Sequence, residues 1–133
     1  MRIQIATRNI AITGELFDMP TARKVLEALP CVSEVSVWGE EAYFSIPVRA
    51  TLEGSATDVV EPGTICFWVQ GNSLALPYGP TPVSVGNECR LVTAVNVLGR
   101  IDGDPRQLAL LAQGDEVTVS RLDEDTLSIS PRT

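Results

Sequence analysis

Residues 60–82, VEPGTICFWVQGNSLALPYGPTP, leave this chain few ways to fold. Two apolar runs, residues 64–69 and 73–78, flank Gln70-Gly71-Asn72. β-Branched and aromatic residues on either side of a Gly/Asn turn signal an antiparallel hairpin. Pro77, Pro80 and Pro82 bar a regular ladder at their own positions. Trp68 and Tyr78 stand near the hairpin's ends, and rigid prolines beside aromatics build groove walls.

Most of the remaining sequence also alternates. Residues 2–6 and 9–16 read at period two as a second hairpin, with Ile3, Ile5, Ile10 and Ile12 facing inward. Asp18 is placed to cap a helix, with Pro20 in its first turn. Ala22, Val25, Leu26 and Leu29 then recur at helical spacing until Pro30 stops the run. Residues 32–37 and 42–46 read as strands around the turn Trp38-Gly39-Glu40, and Pro47 limits the second. Residues 52–58 and 83–88 read as loops. Residues 94–101 form a strand ended by Asp102-Gly103-Asp104-Pro105, and a short helix over 105–112 is closed by Gly114. A last hairpin pairs 116–122 with 126–130, and 131–133 are a frayed tail. The sum is about eight strands and two short helices, with no βαβ alternation to call for a parallel sheet. There is no internal repeat and no linker, so residues 1–133 form a single domain. The expected fold is all-β: a closed antiparallel eight-stranded barrel, which leaves no exposed strand edge.

Composition narrows the partners. The chain has 133 residues, 44% hydrophobic and 20% charged, enough for a real core. A net charge of −7 argues against nucleic acid and against anionic membranes. No apolar run approaches the roughly 18 residues that span a bilayer. The alternating N-terminus MRIQIATRNIAITGEL reads as a strand, not a signal peptide. Cys31, Cys66 and Cys89 are odd in number and widely spaced, as free thiols in a reducing cytoplasm are. None lies in a CxxC pair, which excludes a zinc ribbon or thioredoxin-type motif; no metal site and no cofactor are expected. The chain has no histidine, which removes Ser-His-Asp and Cys-His catalysis. Any chemistry falls to carboxylates, Arg, Lys, Tyr, Cys or backbone dipoles.

Four stretches share one further pattern. They are Trp38-Gly39-Glu40-Glu41-Ala42-Tyr43-Phe44-Ser45-Ile46-Pro47-Val48, Val60-Glu61-Pro62-Gly63, Phe67-Trp68 with Gly71-Asn72-Ser73-Leu74-Ala75-Leu76-Pro77-Tyr78-Gly79-Pro80-Thr81-Pro82, and Ala94-Val95-Asn96-Val97-Leu98-Gly99-Arg100-Ile101. In this the chain resembles the small prokaryotic cyclophilin-like family, once described only as a domain of unknown function. The resemblance runs in order over nearly the whole chain and implies an eight-stranded antiparallel barrel with helices at its open ends. The chain departs from the family at Val69-Gln70, where a Pro-Pro pair is usual, and at Pro77-Tyr78, where Phe-Phe is usual. Cyclophilins proper are peptidyl-prolyl isomerases, with a Phe-His-Arg run whose Arg polarises the proline nitrogen. Aligned on that run, Phe44 takes the Phe position, but Ser45 and Ile46 follow it. Arg49 lies three residues further on and could substitute if it shares that face. Cyclophilin-like domains also occur in subunits of bacterial amide- and lactam-cleaving enzymes, which implies a possible partner enzyme subunit; a homo-oligomer is equally open.

Each candidate site residue carries two readings. Trp38, Tyr43, Phe44, Trp68 and Tyr78 either pack the core or line a cleft, and along a strand only one of Tyr43/Phe44 and one of Phe67/Trp68 can face inward. Of the adjacent Glu40 and Glu41, one is a solvated or ion-paired carboxylate, and Glu41 is the candidate to face a pocket as a base or an anchor for a cation. Asn72 suits a left-handed turn position. Asn96, inside an apolar run, needs buried partners and would fix a loop through backbone hydrogen bonds, or touch a ligand. Arg49 and Arg100 pair with carboxylates or clamp a carboxylate ligand. Cys66 reads as an inert buried thiol. The expected ligand set is Trp38, Glu41, Tyr43, Arg49, Trp68, Asn72, Tyr78 and Asn96, in a groove between the 68–82 hairpin and the 38–48 strands. The expected function is binding of a small molecule or short peptide, with isomerase or carboxylate-based catalysis as the alternative.

Overall fold

The structure is a computed structural model that describes residues 1–122. Its strands are β1 (Arg2–Ala6), β2 (Ala11–Leu16), β3 (Cys31–Glu34), β4 (Ser36–Val37), β5 (Glu41–Ser45), β6 (Thr57–Val60), β7 (Thr64–Trp68), β8 (Ser73–Pro77), β9 (Cys89–Ile101) and β10 (Glu116–Leu122). One α-helix, α1 (Pro20–Glu27), and a 3-10 helix, Pro105–Leu110, complete it.

Every registered strand pair is antiparallel, in the order β3-β10-β1-β2-β9-β7-β8-β5-β4, with β6 attached to β9 alone. The two ends of that order are joined by the chain itself, because only Val35 separates β3 from β4. Val35 turns its backbone across the ladder: its N–H donates to Asp115 O at 2.8 Å, and its carbonyl accepts from Gly114 N at 2.8 Å. Counted as one interrupted strand, β3/β4 closes an eight-stranded wall, and β6 stands outside it. The expected barrel is therefore present, with a ninth wall-flanking strand that the sequence pattern did not announce.

Period two sorts the core. Ile3, Ile5, Ile12, Phe44, Ile65, Phe67, Leu74, Leu76 and Leu98 are all within 1% of full burial and form one cluster inside the wall. Each such side chain contributes roughly 1.5–3 kcal/mol by leaving water. Helix α1 adds Ala22, Val25 and Leu26 to that cluster, and the 3-10 helix adds Leu108. Ile10 is only partly buried, at the turn rather than in the strand.

Several boundaries differ from the sequence reading, each for a local reason. Met19, not Asp18, occupies the N-cap, without a side-chain cap bond. Asp18 instead accepts from Arg23 Nε at 2.6 Å, while the Thr21 N–H donates to Glu53 at 2.9 Å. A distant carboxylate thus does the capping, and its charge suits the helix's positive end. β9 starts five residues before the expected Ala94, because Cys89 and Leu91 are buried against the barrel and the strand pairs with β6. The expected loop at 52–58 accordingly gives up Thr57 and Asp58 to β6. The short helix over 105–112 is 3-10 and ends at Leu110, its start capped by Asp104 accepting from Arg106 N at 2.9 Å. The expected strand 126–130 and tail 131–133 lie outside the described residues.

Candidate ligand site on the outer wall

Two cross-strand rungs explain where the site sits. Phe44, Leu74 and Phe67 are register partners across β5, β8 and β7, and all three point into the barrel. The next rung, Tyr43, Ala75 and Cys66, must point out. Ala75 and Cys66 are small, so the outer wall is recessed at its centre, with Tyr43 and Trp68 rising beside it.

β9 covers this recess. Its C-terminal half, Asn96 to Arg100, pairs with β7 in the wall, while Cys89 to Val95 pairs with β6 outside it. A register irregularity between Ile65 and Cys66, opposite Gly99 and Val97, lies just before the departure, which follows at Val95. Leu91 and Val95 then pack onto Cys66 and Ala75 as a second apolar cluster. Between roof and wall is a cavity of about 230 Å³ lined by Trp38, Glu41, Tyr43, Trp68, Leu91, Val92 and Val95.

Glu41 is its chemical focus. It precedes Ala42 on β5, shares the outward face with Tyr43, and is only 6% exposed. Among the described residues no group hydrogen-bonds its Oε1. Burial without a partner pushes its carboxyl up to about 7. The Trp68 Nε1 donor is likewise buried with no acceptor. The Trp68 ring meets Tyr43 edge to face, centroids 6.1 Å apart and planes at 90°. It also lies directly over Gly71, where any Cβ would collide with the indole.

The neighbouring acid goes the other way. Glu40 accepts from Arg106 at 2.9 Å, and the Arg106 guanidinium lies 5.1 Å from the Tyr78 ring centroid. The 38–40 turn is pinned to the segment after β8: Tyr78 N donates to Glu40 O at 2.8 Å and Glu40 N to Pro80 O at 2.9 Å. Gly39, at φ +60°, packs so tightly on Thr81 and Pro82 that a side chain would not fit.

Four of the eight expected ligand residues therefore converge: Trp38, Glu41, Tyr43 and Trp68. The other four are placed elsewhere. Tyr78 stacks with Arg106, away from the cavity lining. Asn72 holds the β7–β8 turn at φ 47°, its carbonyl accepting from Ile46 N at 3.0 Å. Arg49 is exposed, and its carbonyl accepts from Lys24 Nζ at 3.0 Å. Asn96 is fully buried; its amide donates to Thr21 Oγ1 at 3.0 Å and Thr51 O at 2.9 Å, and its Oδ1 accepts from Glu53 N at 2.8 Å. It fixes the 51–53 loop to α1 through backbone bonds, as one of its two readings had it. Leu91, Val92 and Val95 were missed, although Cys89 and Leu91 already alternate in the sequence with the polar Glu88 and Arg90. Cys66 lies buried beneath Leu91 and Val95 rather than in the cavity lining, its thiol pushed up by burial and then by Glu41, so it is not a nucleophile at neutral pH. Among the described residues no three His, Cys, Asp or Glu side chains gather as metal ligands, and no helix is long and apolar enough to cross a membrane.

Comparison with known proteins agrees with this architecture. The family model described as cyclophilin-like matches residues 1–120. The solution structure of the hypothetical protein AF2241 from Archaeoglobus fulgidus is 35% identical, covers 92% of this chain and 95% of that chain, and aligns with a TM-score of 0.78. No curated protein matches the chain.

Proposed function

The chain belongs to the cyclophilin-like family, and from that barrel we propose that it is a binding module whose site is the outer-wall cavity rather than an isomerase groove. One observation carries this reading. An apolar, aromatic-walled cavity holds a carboxyl oxygen and an indole N–H that nothing among the described residues satisfies. Buried polar groups are costly unless paired, at roughly 1–3 kcal/mol each, so a ligand that pairs with both gains affinity from them. The ligand is a small molecule or a short peptide's side chain. The three unpaired thiols fit a cytoplasmic setting.

Isomerase chemistry finds less support. Phe44, in the place of the catalytic Phe, is 1% exposed inside the barrel and faces away from any substrate. Ile46 is buried too, and among the described residues no arginine lines the cavity. One observation does favour a second reading, carboxylate catalysis: Glu41, pushed up to about 7, is tuned to exchange a proton at neutral pH.

Trp38 and Trp68 are the chain's two tryptophans, and both line the cavity. Intrinsic fluorescence is thus a direct reporter. Fragment-sized probes should shift the emission of the wild type and much less that of Val95→Phe, whose larger side chain intrudes on the cavity. Equal shifts in both proteins, or none in the wild type, would remove the cavity from the account.

A further inference from the structure

We propose that the cavity selects a small organic cation: a protonated amine on a ring-sized apolar body that also carries one hydrogen-bond acceptor. This rests on the reading of the cavity as a ligand site and names its ligand's class.

Charge comes first. Among the described residues Glu41 is the one carboxylic acid in the cavity lining, and no Lys or Arg joins it there. Arg106, beside the 38–40 turn, is engaged by Glu40 and Tyr78. An anionic ligand would face an uncompensated carboxyl in a protein of net charge −7. A neutral apolar ligand would bury Glu41 Oε1 and Trp68 Nε1 more deeply and satisfy neither. An ammonium N–H donates to Glu41 and brings the counter-charge with it.

The walls agree. Trp38, Tyr43 and Trp68 supply three aromatic rings around one carboxylate, the setting in which ring quadrupoles attract a desolvated cation. Trp68 Nε1 adds a donor with no acceptor among the described residues, so the complementary ligand presents an oxygen or imine nitrogen as well. Leu91, Val92 and Val95 are wholly apolar, so the rest of the ligand is hydrocarbon. A cavity of about 230 Å³ is larger than one that takes benzene and smaller than the clefts of drug-sized ligands. A single saturated ring fits that window.

The test uses the whole chain and four matched probes. Morpholinium has the cation and the acceptor, piperidinium the cation alone, dioxane the same ring without charge, and cyclohexanecarboxylate the opposite charge. Binding is read by the two indole N–H resonances and by fluorescence. The expected order is morpholinium, then piperidinium, with dioxane and the carboxylate at least tenfold weaker. Glu41→Gln should erase the preference of morpholinium over dioxane, and its own thermal melt shows whether it is folded. The Trp68 N–H should move further with morpholinium than with piperidinium. Dioxane or the carboxylate binding as tightly as morpholinium, and blocked by Val95→Phe, overturns the cation assignment while leaving the cavity as a ligand site. No probe shifting either indole overturns both.

Discussion

Glu40 and Glu41 are adjacent in the chain and opposite in environment: Glu40 pairs with Arg106 at 2.9 Å, while Glu41 lies 6% exposed beneath the aromatic walls with Oε1 unpaired. Period two is the cause. At the first residue of β5 successive side chains leave on opposite faces, so two identical residues acquire unlike chemistry.

Glu41 should therefore make stability depend on pH in an unusual direction. Its folded carboxyl is raised to about 7 from an ordinary 4.5, so the folded state holds the proton longer than the unfolded chain. The stabilisation is complete below the ordinary value and is lost as pH rises through about 7. The two thiols coupled to it are moved away from that window: Cys66 from β7 and Cys89 from β9 are both pushed up, by burial first and then by neighbouring charges including Glu41. Urea melts of wild type and Glu41→Gln should diverge in favour of the variant by roughly 3 kcal/mol between acid and alkaline pH. A constant difference across the range would contradict the buried, unpaired carboxyl.

Gly71 makes room for Trp68, whose ring occupies the space a Cβ would need. Gly71→Ala should displace the indole, cost about 1–3 kcal/mol by overpacking, and red-shift tryptophan emission. Unchanged emission would show that the ring does not rest on the turn.

Asn96 joins Thr21, Thr51 and Glu53 through three hydrogen bonds, one at each partner. Asn96→Ala leaves those buried groups without their partner and should cost at least about 2 kcal/mol in chemical denaturation. Ligand shifts at Trp38 and Trp68 should survive in the folded variant, since Asn96 does not line the cavity. Loss of binding without loss of stability would give Asn96 a direct ligand role.

Proline-peptide isomerisation should stay at the uncatalysed rate in the wild type, and Arg49→Ala should change nothing. Phe44 is inside the barrel and Arg49 is exposed on another face, lining a shallow depression with Lys24, Glu27 and Pro47. A rate well above background that falls in the variant would restore the enzymatic reading.

Much of the barrel was legible in the alternation of the strands. Ile3, Ile5 and Ile12 were expected inward and are buried, and the hairpin around Gly71-Asn72 pairs as expected, Phe67 with Leu74 and Trp68 with Ser73. Local signals sufficed because strand faces and tight turns depend on neighbours in sequence. The capping of α1 was not legible, since Glu53 arrives from a loop thirty-two positions away. The site was half legible. Tyr43 and Trp68 could be named as outward or inward, but only as alternatives.

The amino-acid sequence by itself determined that Tyr43 and Phe44, and Phe67 and Trp68, point to opposite faces, because extended backbone alternates its side chains. It did not determine what would cover the outer face. That was decided by β9, which leaves the wall near Val95, pairs with β6, and lays Leu91 and Val95 over Cys66 and Ala75. Burial is a property of what packs against a surface, not of the residue that owns it. Only that tertiary contact turns Glu41 from an ordinary strand-end acid into an unpaired carboxyl with an elevated proton affinity, and a recess in the wall into a cavity.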